Sequence, residues 1–164
     1  MAVRPIRLFG DPVLRTVADP VGAVDAAVEA LVADLLDTVR VPGRAGVAAN
    51  QIGVARRAFA YNVDGRIGYL LDPVLEEVRG EPVAFDEGCL SVPGLVHPTV
   101  RSPWARSTGR QLDGSSVEVV GEGVLAEALQ HEQDHLDGRV YLSRLTPELR
   151  REAMAQVRRA DWFR

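Results

Sequence analysis

The chain has 164 residues, 46% of them hydrophobic and 26% charged, a balance that fits one domain burying roughly 70% of its unfolded surface and excludes a disordered chain. Its 19 basic residues against 23 acidic ones give a net charge of -4, so no global electrostatic footprint for nucleic acid is expected. Every basic residue is arginine, which removes Schiff-base chemistry, a lysine general base and the P-loop.

The first 24 residues are punctuated by proline and glycine and read as an irregular arm. Arg4 and Arg7 precede a proline-broken stretch and no apolar core of a leader follows them, so a cytoplasmic location is expected, with no membrane span. From Asp25, residues Val28, Leu31, Val32, Leu35, Leu36 and Val39 recur at helical spacing, with Glu29, Asp34 and Asp37 turned away. Asp25 caps this helix and Pro42-Gly43 stops it. Residues 57–63, 68–71, 74–78, 100–111 and 116–120 read as strands, with Asp64-Gly65 and Asp113-Gly114 as tight turns that make the pairing antiparallel. In the stretch 104–111 the small residues Ala105, Ser107 and Gly109 share one face, which predicts a locally looser strand. Residues 121–136 form a second helix that buries Val124, Leu125, Ala128, Leu129 and Leu136 and ends at Gly138. Thr146-Pro147 opens a third, over about 146–164, with Leu149, Ala153, Met154 and Val157 on its inner face and Trp162-Phe163 closing the chain. No repeat or linker divides residues 1–164, so the expectation is one α+β domain: short, mostly antiparallel strands around helices, one of them C-terminal.

His131-Glu132-Gln133-Asp134-His135 places two histidines at i and i+4, about 40° apart around a helix, so both imidazoles reach one metal ion. Glu132, beside the first of them, is placed to take a proton from activated water and return it to a leaving amine. The bland alternative is a helix with two surface histidines. Cys89 is the only cysteine and cannot close an internal disulfide; it is a buried small hydrophobe, a nucleophile or a metal ligand. As the third ligand it completes a two-imidazole, one-thiolate set suited to iron or zinc, with a fourth position left for water.

The segments Glu87-Gly88-Cys89-Leu90-Ser91 and Gln130-His131-Glu132-Gln133-Asp134-His135-Leu136 resemble the second and third signature motifs of the peptide deformylases. Arg44-Ala45-Gly46-Val47-Ala48-Ala49-Asn50-Gln51 is an imperfect counterpart of the first, and the resemblance runs from Asp11-Pro12 to the region of Leu145. It implies a fold with a central metal-binding helix and a single divalent ion on Cys89, His131 and His135, natively Fe2+, with Zn2+, Ni2+ or Co2+ as substitutes. It implies Glu132 as general acid and base, and the Gln51 amide with the Leu90 N–H as donors to the developing oxyanion. The implied reaction removes the formyl group from formyl-methionyl peptides of nascent proteins, releasing formate. Arg44, Ala45, Gly46, Gly88 and Glu127 fall on the substrate side.

Two departures stand out. Arg44 replaces the first glycine of its motif and Ala45 a larger aliphatic residue, while Glu127 stands where the family usually has an apolar side chain. A carboxylate in an apolar pocket needs a partner, so Arg44 and Glu127 are expected to meet at the pocket mouth and alter substrate choice; the alternative has both facing solvent. A deformylase-like protein with changed specificity, or one that only binds, is the second functional reading. His97 reads as structural or exposed, and Arg101 as a contact to backbone or carboxylate. Arg150-Arg151, Arg158-Arg159 and Arg164 read as a solvated helix face, with a transient contact to the ribosome as the alternative and no specific nucleic acid as partner.

Overall fold

The computed structural model describes residues 2–163. Helix α1 (Ala26–Val39) starts where the Asp25 carboxylate accepts the Val28 N–H, and it buries Leu31, Val32, Leu35 and Val39 against Val47, Ala58, Ala60 and Leu71. Asp34, expected to point outward, is buried. The N-terminal arm crosses the helix there, and Asp34 accepts the Ala2 N–H at 3.0 Å and Arg4 Nε at 2.7 Å.

Five strands form an antiparallel sheet in the order β1 (Gly46–Ala48), β2 (Ala58–Val63), β3 (Arg66–Arg79), β6 (Trp104–Arg110) and β7 (Ser116–Glu122). Asp64 and Gly65 both take positive φ, 50° and 79°, the conformation a two-residue hairpin turn requires. The two strands expected at 68–71 and 74–78 are one bulged strand, with register shifts after Leu71 and Leu75. Asp72 sits in the first bulge at φ 47°, held by the Val21 N–H and Arg110 on its carboxylate. The single strand expected at 100–111 is two strands of different sheets. Arg101 ends β5 (Val92–Arg101), Trp104 begins β6, and Pro103, which has no N–H to donate, lies between them. β4 (Val83–Cys89) and β5 pair as a separate two-stranded hairpin, for which the sequence reading has no counterpart.

Helix α2 (Val124–Leu136) begins three residues later than expected. Gly121 still belongs to β7, and Val124 is exposed rather than buried. Leu125, Ala126, Ala128 and Leu129 press on Phe59, Leu70, Ala105 and Val119. The small face of β6 is therefore tight, not loose: Ala105 and Ser107 are fully buried, and a Cβ on Gly109 would lie 3.0 Å from the Cβ of Leu70. Helix α3 (Pro147–Val157) is capped by Thr146 and stops short of the chain end; Trp162 then donates to the Pro93 carbonyl, and Phe163 stacks on Phe9.

Apart from a short 3-10 turn at Pro12–Arg15 and a single bridge from Asp19 to Arg56, residues 2–24 are irregular, as expected. They act as a strap. Arg7 N–H donates to the Gln51 carbonyl, Phe9 N–H to Ser91 and Ala18 N–H to Leu136, so one extended segment ties down three distant parts of the chain.

Candidate metal centre and cleft

The second half of α2 carries His131 and His135 on adjacent turns, with their Nε2 atoms 3.1 Å apart. The β4–β5 hairpin delivers Cys89 at the end of β4, after a register shift that sets its sulfur 3.2 Å from His135 Nε2. All three donor atoms lie within 4.8 Å of one another and all three residues are buried. Burial, helped by the nearby His131, pushes the His135 pKa well below its ordinary value; that of His131, against the effect of burial, is raised by Cys89 and Glu87. His131 has its Nδ1 2.6 Å from Glu87 Oε1, so its Nε2 is the nitrogen turned to the other donors. A sulfur and two imidazole nitrogens facing one point fit a single iron or zinc ion.

The same centre opens on a cleft of about 410 Å³ whose walls include Arg44, Ala45, Gly46, Gly88, Leu90 and Glu127. Glu132 is 2% exposed, and its Oε2 is buried with no hydrogen-bond partner. Burial raises its pKa to about 7; His131 opposes the rise, and Glu87 and Glu127 add to it. Gly46 explains how the carboxylate fits. A Cβ there would lie 2.3 Å from Glu132 Oε1, so only glycine lets β1 pass. Gln51 is held by the Ala48 N–H on its Oε1 at 2.9 Å, and its Nε2 points at Cys89 Sγ, 3.6 Å away, and Ser91 Oγ, 3.2 Å away.

The expected meeting of Arg44 and Glu127 does not occur. Arg44 Nη1 donates instead to the Thr38 carbonyl at 3.0 Å, one of the helix-end oxygens that the last turn of α1 leaves without a full set of intrahelical partners. Glu127 is half-buried in the cleft wall and, by burial first and by Glu87 second, its pKa is raised. His97 is buried, its Nδ1 3.0 Å from the Tyr141 hydroxyl. Arg101 does contact carboxylates: Glu87 through Nε and Nη2, and Asp134 through Nη1. Arg144 closes the far side of Asp134, and Asn50 Nδ2 donates to the His135 carbonyl. The sequence reading gave Glu87, Asp134, Arg144 and Asn50 no role. Strand alternation would place Glu87 two residues before Cys89 on the same face, but it requires β4, which was not expected from the sequence.

A buried sulfur and two imidazoles beside a buried carboxylate on the same helix, at the wall of a cleft, define a metal-dependent amide hydrolase. Residues 3–151 match the model of the family described as polypeptide deformylase, and the chain belongs to that family. The peptide deformylase of Acidothermus cellulolyticus is 48% identical over 162 residues, covering 99% of this chain and 89% of that protein. Among solved structures, the Legionella pneumophila peptide deformylase superposes with a TM-score of 0.89 at 34% identity, covering 96% of this chain and 95% of that one. That of Thermus thermophilus gives 0.87 at 36%, covering 96% and 94%.

Proposed function

We propose that this chain, acting as a single domain over residues 1–164, removes the formyl group of N-formyl-methionyl nascent peptides, and that the cleft residues divide the work as follows. Cys89, His131 and His135 hold one divalent ion, Fe2+ natively, with Zn2+, Ni2+ or Co2+ able to replace it. When bound, the ion supplies Lewis-acid activation of water and of the formyl carbonyl. Glu132 accepts the proton that the attacking water loses and delivers it to the amide nitrogen as the carbon–nitrogen bond breaks, giving formate and a free amino terminus. A pKa of about 7 suits both directions of that transfer. Gln51 Nε2 and the Leu90 N–H donate to the oxyanion that develops on the formyl oxygen. The peptide runs past Arg44, Ala45, Gly46, Gly88 and Glu127.

The observation that carries this reading is the seat of Glu132: a buried carboxylate with an unbonded oxygen, set against Gly46 in the same cleft as Cys89 and His131. With Arg44 committed to Thr38, the argument for altered substrate choice loses its ion pair. We place the reaction in the cytoplasm, on chains leaving the ribosome. Among the described residues no helix is long and apolar enough to cross a membrane, and Arg150, Arg151, Arg158 and Arg159 present an exposed basic face for transient docking, while Arg164 lies outside the described residues. The test is formate release from formyl-methionyl tripeptides by anaerobic, iron-loaded protein. Glu132→Ala is expected to keep one metal per chain and lose turnover; a wild-type protein that holds its metal and releases no formate would leave only a binding role.

A further inference from the structure

Behind the metal helix, a chain of ion pairs begins at His131 and ends at the surface on Arg144. Glu87 and Asp134 are buried carboxylates, and one guanidinium, Arg101, faces both. It forks onto Glu87 through Nε at 2.8 Å and Nη2 at 2.7 Å, and its Nη1 reaches Asp134 Oδ2 at 2.7 Å. A single positive charge cannot neutralise two buried carboxylates, and an uncompensated one is strongly unfavourable. Arg144 supplies the second charge, with Nε 3.0 Å from Asp134 Oδ2 and Nη2 on Oδ1. Its side chain is 42% exposed against 4% for Arg101, so it is the end of the network that solvent reaches.

We propose that Arg144 is a positioning residue for the metal centre, resting on the donor set proposed above. By holding Asp134 from the far side, it leaves Arg101 free to sit squarely on Glu87, and Glu87 fixes the ring orientation and Nδ1–H tautomer of His131. Without Arg144, Arg101 is drawn toward Asp134, its fork on Glu87 opens, and the His131 ring loses its alignment. The task requires two parallel donors on one carboxylate, which arginine provides and lysine does not. Asp134 lies between the two histidine ligands on α2, so the clamp acts on the helix turn that carries them.

The test loads Co2+ into wild type, Arg144→Lys, Arg144→Met and, as a control that breaks two unconnected surface ion pairs, Arg106→Met. Three quantities are read: the thiolate-to-cobalt absorption, the rate of cobalt loss to a chelator, and the urea midpoint. Arg144→Met is expected to release cobalt on the order of tenfold faster or more, with a shifted absorption band. Arg144→Lys should fall between it and wild type, and Arg106→Met should match wild type. If Arg144→Met lowers the urea midpoint while band and release rate stay at wild-type values, Arg144 is only a structural tie and the proposal fails. A wild-type protein with no thiolate–cobalt band fails differently, because it removes the donor set itself.

Discussion

Helices α1 and α2 are nearly equal in length, 14 and 13 residues, and are held by opposite means. α1 is fixed by hydrocarbon: Leu31, Val32, Leu35 and Val39 are buried on the sheet. α2 begins in the same way, with Leu125, Ala126, Ala128 and Leu129, but its second half buries Gln130, His131, Glu132, Asp134 and His135. Apolar burial is non-directional and tolerant of shape. A buried polar network contributes little net stability but admits one geometry, because each group must meet its counterpart. The fold therefore separates the helix that stabilises from the helix that performs chemistry.

Substitutions on the two helices should separate activity from stability, and the largest effect belongs to Glu132. Glu132→Ala should lower kcat on a formyl-methionyl tripeptide by a factor on the order of 10²–10⁴ or more, with a urea midpoint unchanged or higher, since its buried Oε2 has no partner to lose. A large fall in the midpoint would break the division. Gly46→Ala comes next. The added methyl must displace the Glu132 carboxylate, and a misplacement of about 1 Å lowers rate on the order of 10²-fold; circular dichroism should show the fold kept, and an unchanged kcat would contradict the seat described for Glu132.

On the other helix, Leu35→Ala should destabilise by about 2–5 kcal/mol, as for other fully buried leucines, while turnover per folded molecule stays at the wild-type value. The smallest effect is that of Asp34. Although burial opposes its charge, the Arg4 guanidinium and the Ala2 N–H hold its carboxyl below the ordinary 3.8. The unfolded chain then takes up a proton there first as pH falls, so the contribution is complete above that ordinary value and lost as pH drops through the folded one. Urea midpoints of wild type and Asp34→Asn should differ at pH 6 and draw together as pH falls below the ordinary 3.8; a constant gap would show that the pair is only a packing contact.

What could be read in the sequence follows the same division. α1 was visible because its apolar residues keep a period of 3.6 from a capping aspartate to Pro42-Gly43. The ligands were visible because two histidines at i and i+4 and the only cysteine are rare enough to stand out, and the segments around them matched known motifs. β4 and β5 escaped because Asp86, Glu87 and Gly88, and then Pro93 and Pro98, carry the marks of loops. Charged residues on strands read as exposed, so Glu87 and Arg101 gave no sign of being buried together. Asp34 was read as outward for the same reason; the arm that covers it arrives from more than 20 residues upstream, and no local pattern records that contact. The Arg44–Glu127 pair failed for a different cause. Charge complementarity was right in kind, but a nearby helix-end carbonyl took the guanidinium.

The irregular arm at the start of the chain has a consequence for biosynthesis. It is made first, yet it fastens to the carbonyls of Gln51, Ser91 and Leu136, the last of which is synthesised when most of the molecule already exists. Such distant pairings close only after the intervening loops have been ordered. The arm is therefore fastened in stages: its partners on Asp34 and Gln51 exist early in synthesis, and its partner on Leu136 only once α2 has been made.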